Sequence, residues 1–369
     1  MRTANLLYSD TEEALRESVR RLLAERCPLE SVAKMYDAPP PDFSGVWQML
    51  ASDLGLAGLL IPEALDGAGA SAREAAVVLE EMGRAVAPVP FLSSSVLATV
   101  ALLTVGETEI LMELASGAAT AALAIPLSAA PGDPVCGVSI EASRLVGQVR
   151  NVADVGGADV LVVPAMGPHG LELHVVRPTA DGVQVSPVLA LDMTRPLADV
   201  RFSHAVSVRI DGGSDQAAGA LCQALRTGAA LLASEQLGIA QWCFDTTLNY
   251  VKQRKQFGRA IGSYQAIKHR LADLWLDVSS AAVAARYAAD TCARGDEDAS
   301  VAAAMAQAFC SDVAVHVAEE CVQLHGGTGM TWEYPVHLYL KRAKSDQLAL
   351  GTPYRHRAWL AELVHLPTS

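Results

Sequence analysis

Apolar positions near the start of the chain recur at helical spacing. Leu15, Val19, Leu22 and Leu23 share one face, and Pro28 ends the run. Ser9 with Glu12 has the spacing of a capping box. A loop rich in proline and aspartate follows at 36–45, then a short helix with Val46, Trp47, Leu50 and Leu54. Leu59 to Gly69 reads as irregular. Ser71 and Glu74 form a second capping box, opening a helix with Val77, Val78, Leu79 and Met82 that Pro88 and Pro90 stop. Helical stretches are predicted at 92–104 and 107–116.

Near residue 118 the period changes. Short apolar runs alternate with Gly, Pro and Asp at 121–125, 145–149, 160–163, 171–176, 183–188 and 200–202, which predicts strands of an antiparallel sheet or small barrel. From Gln216 the helical period returns in long runs: 223–252, Ser263 to Arg294, a third to Leu324, a fourth from Pro335 and a last from Pro353. The fold class is α+β, mainly α. The expected parts are an all-α N-terminal domain at 1–117, a small middle β-barrel domain at 118–213 and a C-terminal four-helix bundle at 214–369.

The formal charge of −13 argues against a general nucleic-acid binder but leaves room for a local basic pocket. Although 51% of the residues are apolar, no run reaches the ~18 consecutive apolar residues of a membrane span. The first residues lack the basic-then-apolar order of a signal peptide, so a cytoplasmic protein is expected. Seven cysteines, at 27, 136, 222, 243, 292, 310 and 321, are scattered without CxxC spacing and read as reduced buried thiols. Cys321 and His325, with His316 behind them, have no second compact ligand pair; core packing is expected there and no metal.

The chemically densest stretch is 250–274. Gly258 and Gly262 interrupt a helix, Ser263 is placed to cap the next one, and the bend carries Arg254, Gln256 and Phe257. A forked cation and a flat ring suit a dinucleotide; a solvated basic bend is the plainer reading.

The runs from Arg254 through Ile261 and Tyr264 through Asp273, the block Gln323-Leu324-His325-Gly326-Gly327-Thr328-Gly329 followed by Glu333-Tyr334-Pro335-Val336, and Leu60-Ile61-Pro62-Glu63 with Gly67 and Gly69 closely resemble the flavin-dependent acyl-CoA dehydrogenases, in the family's order and over nearly the whole chain. The resemblance implies FAD as cofactor and an acyl-CoA thioester as substrate. A carboxylate takes the α-proton, and the flavin takes hydride from the β-carbon. The flavin site is shared between subunits. Arg254, Gln256, Phe257, Gln323, Gly326, Gly327 and Gly329 match the half that reaches into a neighbour's site.

The other half departs from the family. Where members read Thr-Glu-Pro-x-Ala-Gly-Ser-Asp, this chain reads Ile125 to Asp133 without that threonine and glutamate. The usual catalytic glutamate aligns with Leu350, and the minority position on the first bundle helix falls near Gly228. Glu235 and Asp346 are the displaced candidates, read otherwise as solvated or salt-bridged surface acids. The resemblance therefore implies a subunit without its own base, like those of heterotetramers acting on CoA thioesters of steroid side chains. Its partners would be a related subunit with the base and an electron-accepting flavoprotein. A self-sufficient homomer and a non-catalytic scaffold of the same fold are the alternatives.

Overall fold

The computed structural model describes residues 6–134 and 137–366, so Cys136 lies outside the described residues. Six helices come first: α1 (Asp10–Arg26), α2 (Leu29–Ala33), α3 (Ser44–Gln48), α4 (Ala72–Ala85), α5 (Thr99–Val105) and α6 (Glu109–Ala115). A π-helical segment, Phe91–Ala98, leads into α5. Both predicted capping boxes are present, with Ser9 and Glu12 on α1 and Ser71 and Glu74 on α4.

The sheet runs from β1 (Ala121–Leu123) through β2 (Val138–Glu141), β3 (Arg144–Ala153), β4 (Val160–Gly167), β5 (Gly170–Val176), β6 (Val183–Val188) and β7 (Leu197–Ala205) to β8 (Val208–Arg209). Its order is β6-β7-β3-β2-β4-β5-β8, with β1 added beside β4. It is mixed, which corrects the antiparallel expectation: β1 runs parallel to β4, and β2 touches β4 in parallel at Ser139 and Met166. The short, polar strands β2 and β8 escaped the sequence pattern, which responds to apolar runs.

The second helical region begins with α7 (Ser214–Gln253). A small hairpin, β9 (Lys255–Gln256) and β10 (Arg259–Ala260), then leads to α8 (Gln265–Arg294), α9 (Ala299–His325), α10 (Val336–Leu348) and α11 (Pro353–Leu363). Ser263 does not cap α8. Its hydroxyl donates to the Ala260 carbonyl at 2.6 Å, and Tyr264 takes the cap position without a side-chain bond. The stretch Ala299–Met330 is long and apolar enough to cross a membrane, yet 72% of its apolar part is buried inside the protein, as in a core helix.

One apolar core joins the early helices to the later ones. Close approach of α4 and α7 makes this continuous. A Cβ on Gly83 would overlap the Glu235 carbonyl oxygen, and a Cβ on Gly238 would overlap the Glu80 carbonyl oxygen. The two glycines face each other's helix reciprocally, so each backbone lies in the notch the other leaves. Stacked rings add a second tie: Trp242 of α7 lies 3.6 Å from Tyr339 of α10, whose hydroxyl donates to the Arg84 carbonyl at 2.6 Å.

Gly238→Ala should therefore separate the two helices and lower stability by about 1–3 kcal/mol or more. The urea midpoint should fall with its slope unchanged. An unchanged midpoint would show that the crossing tolerates a methyl group.

Candidate functional site

Two helix ends meet where the sequence places its cofactor motifs. α7 ends at Gln253, and α9 ends at His325. Tyr250, in the last turn of α7, packs its ring 4.2 Å from that of His325 and donates its hydroxyl to the His325 carbonyl at 3.3 Å. The Arg254 bend and the Gly326 turn thus emerge side by side.

The bend is a hairpin, more ordered than a helix break. Gln256 pairs with Arg259, and the two-residue turn is Phe257-Gly258, both with positive φ, 51° and 78°. That is the hairpin turn with left-handed angles at both centres. Glycine adopts them freely; phenylalanine does so at a cost. The Phe257 ring gains no packing in return, being 94% exposed. A strained residue holding an apolar ring in open solvent points to a surface that something else covers. Arg254 is exposed too and has no ion pair among the described residues, while Arg259 is fixed over the Tyr264 ring at 3.9 Å. From 246 to 272 the chain has no Asp or Glu but six Lys and Arg residues, in a protein of formal charge −13.

The glycines of the second motif separate into three cases. Gly326 ends α9 with φ 59°. Gly329 is required by packing, since a Cβ there would lie 2.5 Å from the Val322 oxygen. Gly327 has neither reason: its φ is ordinary, and nothing lies within 4 Å of a Cβ built on it. Open space at an exposed glycine permits close approach by a group from outside the chain. Arg254, Gln256, Phe257 and Gln323 are likewise exposed. The chemistry of this set fits the diphosphate and adenosine of a dinucleotide.

The two positions to which the resemblance assigns a base, Leu350 and Gly228, also converge. Leu350 is fully buried, with φ 53°; its N–H donates to the Leu127 carbonyl at 2.7 Å, and its carbonyl lies 2.8 Å from His356 Nε2. A Cβ on Gly228 would lie 3.0 Å from Leu350 Cδ1 and 2.5 Å from Leu97 Cδ2. Two leucines thus fill the space beside Gly228, and no carboxylate faces it from either position. The segment Ile125 to Asp133 is turned into the protein. Ile125, Leu127, Ala129 and Ala130 are buried, and Asp133 pairs with Arg355 of α11.

Glu235 and Asp346 are not surface acids, which corrects that expectation. Both are buried in an ion cluster between α7, α10 and the loop joining β6 to β7. Arg195 contacts Glu235 at 2.6 Å and Asp346 at 3.2 Å; Arg342 contacts Glu235 at 2.6 Å and Asp192 at 2.8 Å. Arg342 also donates to the Thr194 carbonyl at 2.8 Å. Burial alone would raise the Glu235 carboxyl, but Arg195 and Arg342 outweigh it and hold Glu235 below its ordinary value. Asp346 goes the other way. Burial, then the Glu235 charge, push it well above the carboxylate range, and neither of its oxygens has a well-aligned hydrogen bond. Both carboxyls are sealed in the interior and engaged by arginines, so neither suits the role of displaced base.

The thiols match expectation in part. Cys27, Cys243, Cys310 and Cys321 are buried, Cys292 is half-buried and Cys222 is exposed. Among the described residues no three or more His, Cys, Asp or Glu side chains could hold a metal ion.

Residues 9–120 match the acyl-CoA dehydrogenase N-terminal domain, and residues 219–365 match the acyl-CoA dehydrogenase C-terminal domain. The chain belongs to the acyl-CoA dehydrogenase family. The family comprises FAD-dependent oxidoreductases that act on CH–CH bonds. Among curated members, the chain is 36% identical to acyl-CoA dehydrogenase IpdE2 of Mycolicibacterium smegmatis, over 94% of this chain and 96% of that one. It is 35% identical to acyl-CoA dehydrogenase FadE34 of Mycobacterium tuberculosis, over 89% of this chain but 42% of that longer one. Two solved structures superpose with TM-scores of 0.85. One is a variant of the Tcur3481-Tcur3483 steroid ACAD, 28% identical, covering 96% of this chain and 98% of that one. The other is the ChsE4-ChsE5 complex from Mycobacterium tuberculosis, 26% identical, covering 99% and 100%.

The Asp346 carboxyl gives this family member a signature in pH. Its folded pKa is raised above the unfolded value of about 3.9, so its contribution to stability is full below that value. The contribution declines as pH rises and is lost through the folded pKa. Glu235 has the opposite sign, so a difference measurement is needed. Asp346→Asn should gain stability relative to the native chain as pH rises above about 4. Urea midpoints of the two proteins that stay a constant distance apart across pH would show that Asp346 is ionised.

Proposed function

We propose that this chain is the subunit without a catalytic base in a heteromeric acyl-CoA dehydrogenase, completing the FAD site of a related partner subunit. The observation that carries this reading is that Leu350 and Leu97 both fill the space beside Gly228. Both places where the family keeps its carboxylate meet here, and both are apolar. A base must lie within hydrogen-bond reach of the α-proton, and no side chain from either position offers one. The opposite pattern holds at the hairpin and the glycine turn, which are exposed and uncovered.

In this reading Arg254 donates to the diphosphate, and Phe257 covers the flavin's adenosine half. Gln256 and Gln323 add hydrogen bonds, and the turn of Gly326, Gly327 and Gly329 brings backbone N–H groups against phosphate oxygen. Bound FAD supplies the acceptor for the hydride that leaves the β-carbon. The partner supplies the base and the segment against the flavin ring. Relatives named as paired or steroid enzymes support a tetramer of two subunit types and a CoA thioester of a steroid side chain as substrate. A cytoplasmic location and an electron-accepting flavoprotein go with it. The homomeric alternative loses its candidate bases, Glu235 and Asp346, to the buried ion cluster. A scaffold without cofactor leaves the exposed Phe257 and the open Gly327 without a reason.

Purified alone, the chain should be colourless and should not reduce an electron acceptor with any acyl-CoA. Leu350→Glu should not change this, because the new carboxyl enters a fully buried apolar site without a flavin facing it. A yellow, active chain, native or with that single change, would sink the proposal.

In the assembled enzyme, Arg254→Ala should weaken FAD roughly ten- to hundredfold. Gly327→Val should weaken it at least as much while melting at the native temperature, since the open site leaves room for the side chain. Full FAD occupancy in both variants would remove the hairpin and the turn from the cofactor site.

A further inference from the structure

The end of α9 is held more tightly than a helix end requires. Terminal carbonyls of a helix usually face water. Here His325, 2% exposed, is held on every side just before the glycine turn. Its Nδ1 lies 2.7 Å from the Cys321 carbonyl oxygen, which can only accept, so Nδ1 carries a proton. Its Nε2 lies 3.1 Å from the Tyr334 hydroxyl. The ring is faced by Tyr250 at 4.2 Å and by Tyr334 at 4.9 Å. Its carbonyl accepts from the Tyr250 hydroxyl. The turn then closes back on the same residue: a Cβ at Gly329 would lie 2.9 Å from His325 Cβ.

Three parts of the chain therefore grip one imidazole: the end of α7 through Tyr250, α9 through Cys321, and the segment before α10 through Tyr334. The backbone of that imidazole begins the turn whose Gly327 stands open. We propose that His325 is a positioning residue, clamped by Tyr250, Tyr334 and Cys321 so that Gly326 to Gly329 is already shaped to receive a diphosphate group. It rests on the reading that this turn meets the dinucleotide. His325 itself touches no ligand. Its effect is preorganisation: a turn fixed before binding loses less freedom on binding, and the difference appears as affinity.

The charges around the ring support the same role. A hydrogen bond from Cys243 pulls the Cys321 thiol down to about 6 against its burial, and His325 adds to the pull. Burial would lower His325, but Cys321 outweighs it and raises the imidazole above its ordinary value. Cys243 and Tyr250 of α7, Tyr334, and Tyr339 of α10 surround the pair. The Cys243 thiol and the Tyr334 and Tyr339 hydroxyls are all raised and so stay neutral near pH 7. A thiolate and an imidazolium can coexist there. Their attraction adds to the clamp above pH about 6 and is lost once the imidazole deprotonates.

The test uses the enzyme assembled with its partner subunit and stripped of FAD, with ADP as the probe. Tyr334→Phe removes one hydroxyl and leaves the ring; His325→Leu removes both nitrogens. Amide exchange at residues 326–330 and ADP affinity are measured for both variants, for Arg254→Ala and for the native chain, from pH 5 to 9. The clamp variants should exchange about tenfold faster, at those amides alone, and bind ADP roughly three- to tenfold more weakly. Native ADP affinity should fall below pH about 6, and His325→Leu should flatten that limb. Arg254→Ala should weaken ADP without changing exchange. If Arg254→Ala weakens ADP but the clamp variants leave exchange or affinity at native values, the positioning role is overturned while the cofactor reading stands. If the assembled native enzyme binds no ADP, the cofactor reading fails and this inference with it. Tyr334→Phe keeps the test decisive should His325→Leu fail to fold.

Discussion

Two guanidinium groups in the interior hold the sheet to the helices. Arg195, from the loop between β6 and β7, reaches Glu235 of α7 and Asp346 of α10, while Arg342 of α10 reaches back to Asp192 and Thr194 of that loop. Removing charges from water is costly, and in such a cluster the close approach of opposite charges offsets that cost. Breaking one member would leave its partner buried and uncompensated, at a cost of about 3–5 kcal/mol. The cluster thus acts as a register. It sets how the sheet sits on the bundle, and with it the placement of Leu127 against Leu350 just past the end of α10.

From that register follows the asymmetry of the site. The interior side is closed. Leu350 is pinned through its own N–H and carbonyl, its side chain shares a space with Leu97, and Asp133 is engaged by Arg355. The outer side is open, with Arg254, Phe257 and Gly327 held in shape by neighbours in the chain but covered by none of them. A site with both halves in one chain would spread its polar groups over both sides. This chain puts its cofactor-compatible chemistry at the helix ends and its packing in the middle.

Much of this was legible in the sequence, for physical reasons. Capping boxes are local, so Ser9 with Glu12 and Ser71 with Glu74 could be read directly. Long helices and buried strands announce themselves by period. Features that depend on distant partners did not. Whether Glu235 lies on the surface depends on Arg195 and Arg342, both far from it in the chain, and Asp346 likewise depends on the distant Arg195. Ser263 had the right chemistry for a cap, but the hairpin turned its hydroxyl toward Ala260. The three glycines of one motif looked alike and proved to serve different needs. Cys321 and His325 were visible as a pair at helical spacing, yet their tyrosine neighbours, Tyr250 and Tyr334, come from other elements.

The stretch from 246 to 272, cationic and without a single acid, has a consequence for how encounters begin. The rest of the chain is strongly anionic, so the molecule is electrically lopsided. An approaching polyanion is turned away from most of the surface and drawn toward the hairpin before any contact forms. Such guidance works only over about a Debye length, some 8 Å at physiological salt. Association at this corner should therefore be fast and sensitive to ionic strength, whereas the sealed interior is shielded from the surrounding salt. Added electrolyte then acts as a dial on one step, the capture of a charged partner, and leaves the folded frame as it was.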